Sequence, residues 1–198
     1  MSEASWPQRV LAVYVDLLGD VASLDEGFGP VSVDVPANRW LDAVTAARDR
    51  LGCTFFDWLS AVDELPSGFR VVCHLAARRT GAVEHVLIRT ALDREAPAVA
   101  SVAEVFAGAG WHERETHEMF GIGFTDAAGH ALALEPLLLA DEFEGHPLRK
   151  EFVLASRVAQ VWPGAKEPGE SDASLRSSRS RRKARPPGVP DPADWGPQ

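Results

Sequence analysis

Three apolar segments separated by short polar turns constrain the fold of this chain more than any other feature. They span residues 53–62, 69–77 and 83–92 and are rich in Val, Ile, Leu and Phe, which favour strands. A Pro-Ser-Gly sequence at 66–68 and a Thr-Gly pair at 80–81 supply turn residues between them. Because connections this short join antiparallel neighbours, the segments predict an antiparallel meander.

Two helical patterns precede the meander. Apolar residues recur at helical spacing from Val10 to Leu18, and Gly19 ends that run. A second apolar stripe extends from Trp40 to Leu51, and a short alternating segment between the two stripes is typical of a strand. The sequence therefore predicts an α+β fold, in which a mixed or antiparallel sheet has helices packed on one face and an extended irregular C-terminal segment follows.

Changes in composition predict three regions. Residues 1–110 form the α+β core domain, in which a third helix is expected at 97–107 between a Pro and a Gly. Residues 111–162 are dense in charge and Gly and are predicted to wrap a partner, with a short helix at about 112–120. Residues 163–198 are rich in Pro, Ser and Arg and are predicted to be disordered.

Charge and cysteine content narrow the class of function. Residues 1–162 carry 13 Lys and Arg against 24 Asp and Glu, so this acidic body is not expected to bind nucleic acid. No apolar run approaches the roughly 20 residues that a membrane-spanning helix needs. Cys53 and Cys73 are too few for an iron–sulfur cluster, which normally takes four Cys ligands, and are interpreted as small buried side chains.

Two motifs resemble a known family. The first motif is WHERETHEMFGI at 111–122 and the second motif is EGHPLRK at 144–150. Together they resemble the signature of the C subunit, or 30-kDa subunit, of respiratory NADH-quinone oxidoreductase (complex I), and the resemblance extends over about 30–157. The chain is identified as a divergent member of this family. Glu118 stands where the family usually has Asp, and a Glu-Pro pair at 135–136 stands where it tends to carry two Arg residues.

The resemblance implies a protein that has no redox centre of its own. In such a complex electrons pass from NADH through FMN and iron–sulfur clusters to membrane quinone, and all of these groups belong to partner subunits. The C subunit is implied to pack on the D subunit near the B subunit, on the cytoplasmic side of the cell membrane. It would be peripheral, attached to the membrane through the complex, with no catalytic, metal or cofactor-binding residue and no small molecule bound by this chain alone.

Both motifs are expected to lie at an interface with another subunit. On a helix, Arg114 and Glu118 face each other, as do Glu113 and His117, so two internal ion pairs are predicted. The basic residues after Pro147 are expected to meet the remaining carboxylates, which would bring the two motifs into contact. The expected interface residues are Glu113, Arg114, Glu115, Glu118, Phe120, Gly121, Gly145, Pro147, Leu148, Arg149 and Lys150.

Three alternatives remain open at the level of sequence. Within the same lineage, the chain fits the equivalent subunit of a ferredoxin-dependent complex or a membrane-bound hydrogenase, because the electron donor binds other chains. A zinc-dependent hydrolase could use His112 and His117. Such an enzyme needs two His residues four positions apart, one turn apart on the same face of a helix. His112 and His117 are five positions apart, so they point about 140° away from each other around a helix. An RNA-binding module could use the Arg-rich segment at 174–185.

Overall fold

The structure, a computed structural model, describes residues 4–19, 23–27, 29–140 and 143–152, which contain three α-helices and seven strands. The tail predicted at 163–198 lies outside these residues, and the boundaries at 110 and 162 stay predictions. In chain order the elements are α1 (Trp6–Leu18), β1 (Ser23–Asp25), β2 (Val31–Asp34), α2 (Trp40–Leu51), β3 (Phe55–Asp63), β4 (Phe69–Arg79), β5 (Ala82–Leu92), β6 (Ala98–Ala100), α3 (Ala109–Phe120) and β7 (Gly123–Thr125).

Five strands form one mixed sheet in the order β1-β2-β5-β4-β3. The strands β3, β4 and β5 pair antiparallel along the chain, which confirms the predicted meander. The strand β2 pairs antiparallel with β1 and parallel with β5, with Val31 opposite Val86. The architecture is therefore the predicted α+β class with a mixed sheet.

The helices α1 and α2 bury their apolar stripes in the hydrophobic core. Val10 and Tyr14 of α1 and Trp40 and Val44 of α2 are completely buried. The Tyr14 hydroxyl donates to the carbonyl of Ala43 at 2.9 Å, which joins the two helices. The spacing of these side chains matches the predicted stripes, so burial of one face fixes each helix.

The two cysteines are buried and free, as expected. Burial raises the pKa of Cys53 to about 12, and burial likewise raises the pKa of Cys73. Thiols in such environments remain protonated at neutral pH and are poor nucleophiles. Both side chains therefore serve as small core residues.

The prediction of a helix at 97–107 is wrong. Residues 98–100 instead form β6, which pairs parallel with β7, and a turn follows. Val99 is buried in the core, and the backbone N–H of Ser101 donates to Thr125 O at 2.8 Å. Pairing with β7 supplies hydrogen bonds to the backbone of this segment, and burial of Val99 adds apolar contact. These tertiary contacts override the local helix propensity.

The helix α3 connects β6 to β7 and packs along the edge strand β3. It begins three residues before the predicted start and ends at Phe120, as predicted. The ring of Phe56 on β3 lies 5.7 Å from the ring of Phe106 and 5.3 Å from that of His112. In the described ranges, no helix combines the length and the apolar character that crossing a bilayer requires.

Candidate functional site

The two motifs meet at the C-terminal end of α3. The last four carbonyls of a helix have no donor within the helix and need donors from outside it. Gly121 and three residues of the second motif supply these donors, one for each carbonyl: Gly121 N–H to His117 O at 2.8 Å, His146 Nδ1–H to Glu118 O at 2.8 Å, Leu148 N–H to Met119 O at 3.1 Å, and Arg149 Nε–H to Phe120 O at 2.6 Å. The second motif is therefore the C-terminal cap of the first.

Glycine at position 121 is required for this contact. Gly121 ends α3 in the left-handed conformation, with φ 71°, which disfavours side chains. A Cβ atom there would lie 2.4 Å from Arg149 Nη2 and 2.5 Å from His146 Nε2. The absence of a side chain at Gly121 is thus what lets the second motif approach the helix end.

An aromatic and ionic cluster holds the second motif against the β3–β4 end of the sheet. The guanidinium groups of Arg94 and Arg149 lie 5.0 and 5.1 Å from the ring centre of Phe69. Asp63, which is almost completely buried, accepts from Arg94 Nη1 at 2.7 Å and from the backbone N–H of Lys150 at 2.7 Å. The hydrogen bond from Arg94 is the main cause that lowers the pKa of Asp63, so this carboxylate stays charged at neutral pH.

A second anchor fixes the segment between the motifs. Glu118 accepts backbone N–H bonds from residues 137, 138 and 139 at 2.6, 2.9 and 3.4 Å. Arg114 donates to the backbone carbonyls of Glu135 and Pro136 at 2.9 and 2.6 Å. Burial acts to raise the pKa of Glu118, but the three N–H donors and the charge of Arg114 together outweigh burial, so the net pKa is lowered. Two side chains one turn apart on α3 thus bind backbone carbonyls and backbone N–H groups of residues 135–139.

Glu113 anchors the start of α3 from inside the protein. Its carboxylate accepts from the Ser101 hydroxyl and the Val102 backbone N–H, both at 2.7 Å, and the residue is almost fully buried. Burial is the largest influence on Glu113 and raises its pKa, because the two hydrogen bonds only partly offset the loss of hydration. The side chain therefore ties α3 to the turn after β6 in place of facing solvent or a partner.

The predicted ion pairs within the motifs are wrong, although the predicted contact between the motifs is observed. Arg114 and Glu118 share a face of α3, but both bind backbone groups of the segment that follows. His117 donates to Ile122 O at 2.9 Å and does not pair with Glu113. Arg149 likewise caps a carbonyl and does not pair with a carboxylate of α3. The spacing correctly placed Arg114 and Glu118 on one face of the helix, but both side chains form hydrogen bonds with backbone groups instead of with each other.

The remaining interface candidates differ in exposure. Glu115 is half-buried and makes no ion pair with any described residue, Pro147 is half-buried, and Leu148 and Lys150 are exposed. Gly145 has φ 96°, and a Cβ atom on it would lie 3.0 Å from the ring of Phe152. These positions shape the second motif, and their contact with another protein of a complex stays a prediction.

Sequence reasoning missed the acceptor and donor roles outside the two motifs. Ser101, Asp63 and Phe69 all contact motif residues, yet each lies more than 10 positions away along the chain. One available signal was the position of Asp63, a carboxylate at the end of an apolar strand. A charge that a sheet buries needs a partner, and here the partner is Arg94 with the second motif.

The zinc-hydrolase alternative receives no support from the described residues. The His112 ring lies edge-on against Phe56, and His117 is committed through Nδ1 to Ile122 O. Over the described ranges, no three or more His, Cys, Asp and Glu side chains are grouped so that they could hold a metal ion. The Arg-rich segment at 174–185 lies outside these ranges.

Comparisons with known proteins identify the family. The family described as the 30-kDa subunit of respiratory-chain NADH dehydrogenase matches residues 33–158. The NADH-quinone oxidoreductase C subunit of Bordetella avium is 34% identical over 71% of this chain and 75% of its own length, and that of a Roseiflexus species is 37% identical over 65% and 72%. The chain therefore belongs to the 30-kDa subunit family of respiratory-chain NADH dehydrogenases.

Solved structures share the fold. A chain of the membrane-bound sulfane sulfur reductase, an archaeal respiratory membrane complex, is 20% identical and has a TM-score of 0.60, with 82% of this chain and 95% of that chain covered. A trypsin-resistant fragment of Nqo5 is 22% identical with a TM-score of 0.50, covering 58% of this chain and 93% of the fragment. At these identities the likeness concerns the fold.

Proposed function

We propose that this chain is the non-redox C subunit of a proton-translocating NADH-quinone oxidoreductase. It packs on the D subunit near the B subunit, at the cytoplasmic side of the cell membrane, and supports electron transfer from NADH to membrane quinone. FMN, the iron–sulfur clusters and quinone reside in the partner subunits. Family membership supports the complex, and the signature region at 109–152 supplies the observation that carries the structural role.

That observation is the different placement of polar and apolar groups in the signature region. Its polar motif side chains bind the chain's own backbone, whereas several of its large apolar side chains remain on the surface. Trp111, Leu138 and Leu148 are 61, 59 and 53% exposed, and Leu132 and Phe143 are also exposed. Singly exposed apolar side chains are common on monomers, but five within one region of a chain from a complex-forming family support docking of that region against another subunit.

The equivalent subunit of a ferredoxin-dependent complex or membrane-bound hydrogenase remains a second candidate. The fold is shared with a chain of the membrane-bound sulfane sulfur reductase, an archaeal respiratory membrane complex. The described residues of this chain do not determine the electron donor, because the proposed role is to position other subunits. The partners that accompany the chain decide between the two candidates.

Purification of the tagged chain from solubilised membranes, with identification of the accompanying subunits, tests the proposal. We expect D and B subunits together with flavin-containing and NADH-binding subunits. The same core subunits without the NADH-binding subunits would favour the second candidate. A wild-type chain that brings no subunit of either complex would overturn the scaffold role.

A matched pair of surface variants tests the docking surface. Leu138→Asp places a charge on the signature region, and Val83→Asp places one at a similarly exposed apolar position on β5. We expect Leu138→Asp to reduce recovery of the D subunit and Val83→Asp to leave it unchanged. Circular dichroism of both purified variants checks the fold, and equal recovery with folded proteins would contradict the assigned surface.

A further inference from the structure

A histidine pair lies outside the signature region, on the sheet face opposite α1 and α2. Cys73 and Leu75 point into the core, so His74 between them points to the other face, and His85 reaches it from the neighbouring strand. His74 Nε2 and His85 Nδ1 are 3.2 Å apart, and the rings are nearly parallel at 14°. Two imidazoles from adjacent strands thus meet nitrogen to nitrogen.

Asp57 orients this pair. Its Oδ2 lies 2.7 Å from Nδ1 of His74, which therefore carries a proton and donates to the carboxylate. The Nε2 atom of a neutral His74 is then an acceptor and receives the Nδ1–H of His85. The His74 side chain is only 12% exposed and also contacts the ring of Trp58, whose centre lies 5.6 Å away. Asp57 thus sets the tautomer of His74 before any ligand arrives, and the ring lies against Trp58.

We propose that His74 Nε2 and His85 Nδ1 together bind one divalent transition-metal ion of the Zn²⁺ class. Two nitrogens that are each about 2.0–2.1 Å from a tetrahedral Zn²⁺ lie about 3.3–3.4 Å apart, close to the observed separation. The metal takes the place of the proton that lies between the rings, and that proton moves to Nε2 of His85, so both imidazoles are neutral when they bind the ion. A modest rotation of each ring turns the two lone pairs toward the ion.

The environment of the pair matches that of metal-bound histidines. A ligating His commonly donates its other ring N–H to a carboxylate, which raises the basicity of the ligand, and Asp57 accepts that bond here. Asp57 and His85 are exposed enough for an ion to enter and for water to fill the other coordination positions. The two ligands of this site are different residues from His112 and His117, so the site is separate from the zinc-hydrolase alternative.

Calorimetric titration of Zn²⁺ into the full chain, purified without a polyhistidine tag, tests the site. We expect one ion per chain, with affinity reduced at least about tenfold in His74→Ala and in His85→Gln. We expect Asp57→Asn to weaken binding about 10–100-fold, the usual range for an outer-shell carboxylate.

His130→Ala is the matched control. His130 is an exposed histidine that also contacts a carboxylate, with its Nδ1 3.0 Å from Asp126 Oδ2, but no second imidazole of the described residues bonds to it. We expect this variant to bind Zn²⁺ as tightly as the wild type. If the His74→Ala and His85→Gln double variant, shown by circular dichroism to be folded, binds Zn²⁺ as tightly as the wild type, the assignment is overturned. Absence of binding by the wild type would overturn it equally.

Discussion

The sheet core and the signature region are held together by different forces. In the core, Trp40 and Val44 from α2 and Val10 from α1 are completely buried, and the stabilising contribution is the removal of apolar surface from water. In the signature region, α3 buries Ala109 and Phe120 in the same core, but its polar motif side chains bind backbone groups of the rest of the chain. Glu118 holds three N–H donors there and Arg149 caps a helix carbonyl.

This difference separates folding from assembly. Burial is non-directional and spread over many residues, whereas each polar anchor depends on a few bonds with fixed geometry. Changes in the core should therefore alter global unfolding, and changes in the anchors should release local segments while the sheet remains folded. The signature region can in this way be rigid enough to present a surface and still depend on single residues.

The largest effect is expected from a cavity in the core. Trp40→Ala should lower the free energy of unfolding by about 3–5 kcal/mol, because a fully buried aromatic side chain is removed. Urea unfolding followed by circular dichroism measures this. Trp40→Phe is the matched control, since the indole N–H of Trp40 has no described hydrogen-bond partner and its removal leaves no group unpaired. A Trp40→Ala loss below about 1 kcal/mol would contradict the role of burial.

Two glycines that end helices test the motif contact next. Gly52 and Gly121 both adopt the left-handed conformation, but a Cβ atom on Gly52 meets nothing within 4 Å whereas one on Gly121 meets Arg149 and His146. The conformation should destabilise either Ala variant by about 1–2 kcal/mol. Gly121→Ala should lose about 1 kcal/mol more through displaced hydrogen bonds. Equal stability losses in urea unfolding would show that the second motif does not depend on this approach.

A smaller and local effect is expected at the anchor of residues 135–139. Glu118→Gln replaces a charged acceptor by a single amide oxygen, and a hydrogen bond to a charged group contributes about 1.5–3 kcal/mol, more than a neutral one. We expect the backbone amides of residues 137–139 to exchange with solvent at least about tenfold faster, measured by hydrogen exchange. Glu115→Gln on the same helix is the matched control. Unchanged exchange in Glu118→Gln would contradict the anchor.

Periodicity and turn residues were sufficient to predict the core but not the anchors. The stripe of Trp40 to Leu51 and the meander follow from apolar patterns between residues that are close along the chain. The bond from Ser101 to Glu113 and the contact of Lys150 with Asp63 join residues that no local pattern relates. The helix expected at 97–107 failed for the same reason, because the partner strand β7 that competes for that backbone lies beyond α3.

The smallest expected effect is a change in stability with pH, which differs between two carboxylates of α3. The pKa of Glu113 is raised above 4.5 by burial, so its stabilising contribution is complete below about pH 4.5 and is lost as pH rises through the higher folded value. The pKa of Glu118 is lowered, so its contribution is present above about pH 4.5 and is lost as pH falls through the lower folded value.

The variant Glu113→Gln tests this difference. It can keep both hydrogen bonds, with the amide oxygen accepting from Val102 and the amide N–H₂ donating to Ser101. We therefore expect Glu113→Gln to gain stability relative to the wild type as pH rises from about 5 to about 8 in urea unfolding. A difference that does not change with pH would show that burial does not control this carboxyl group.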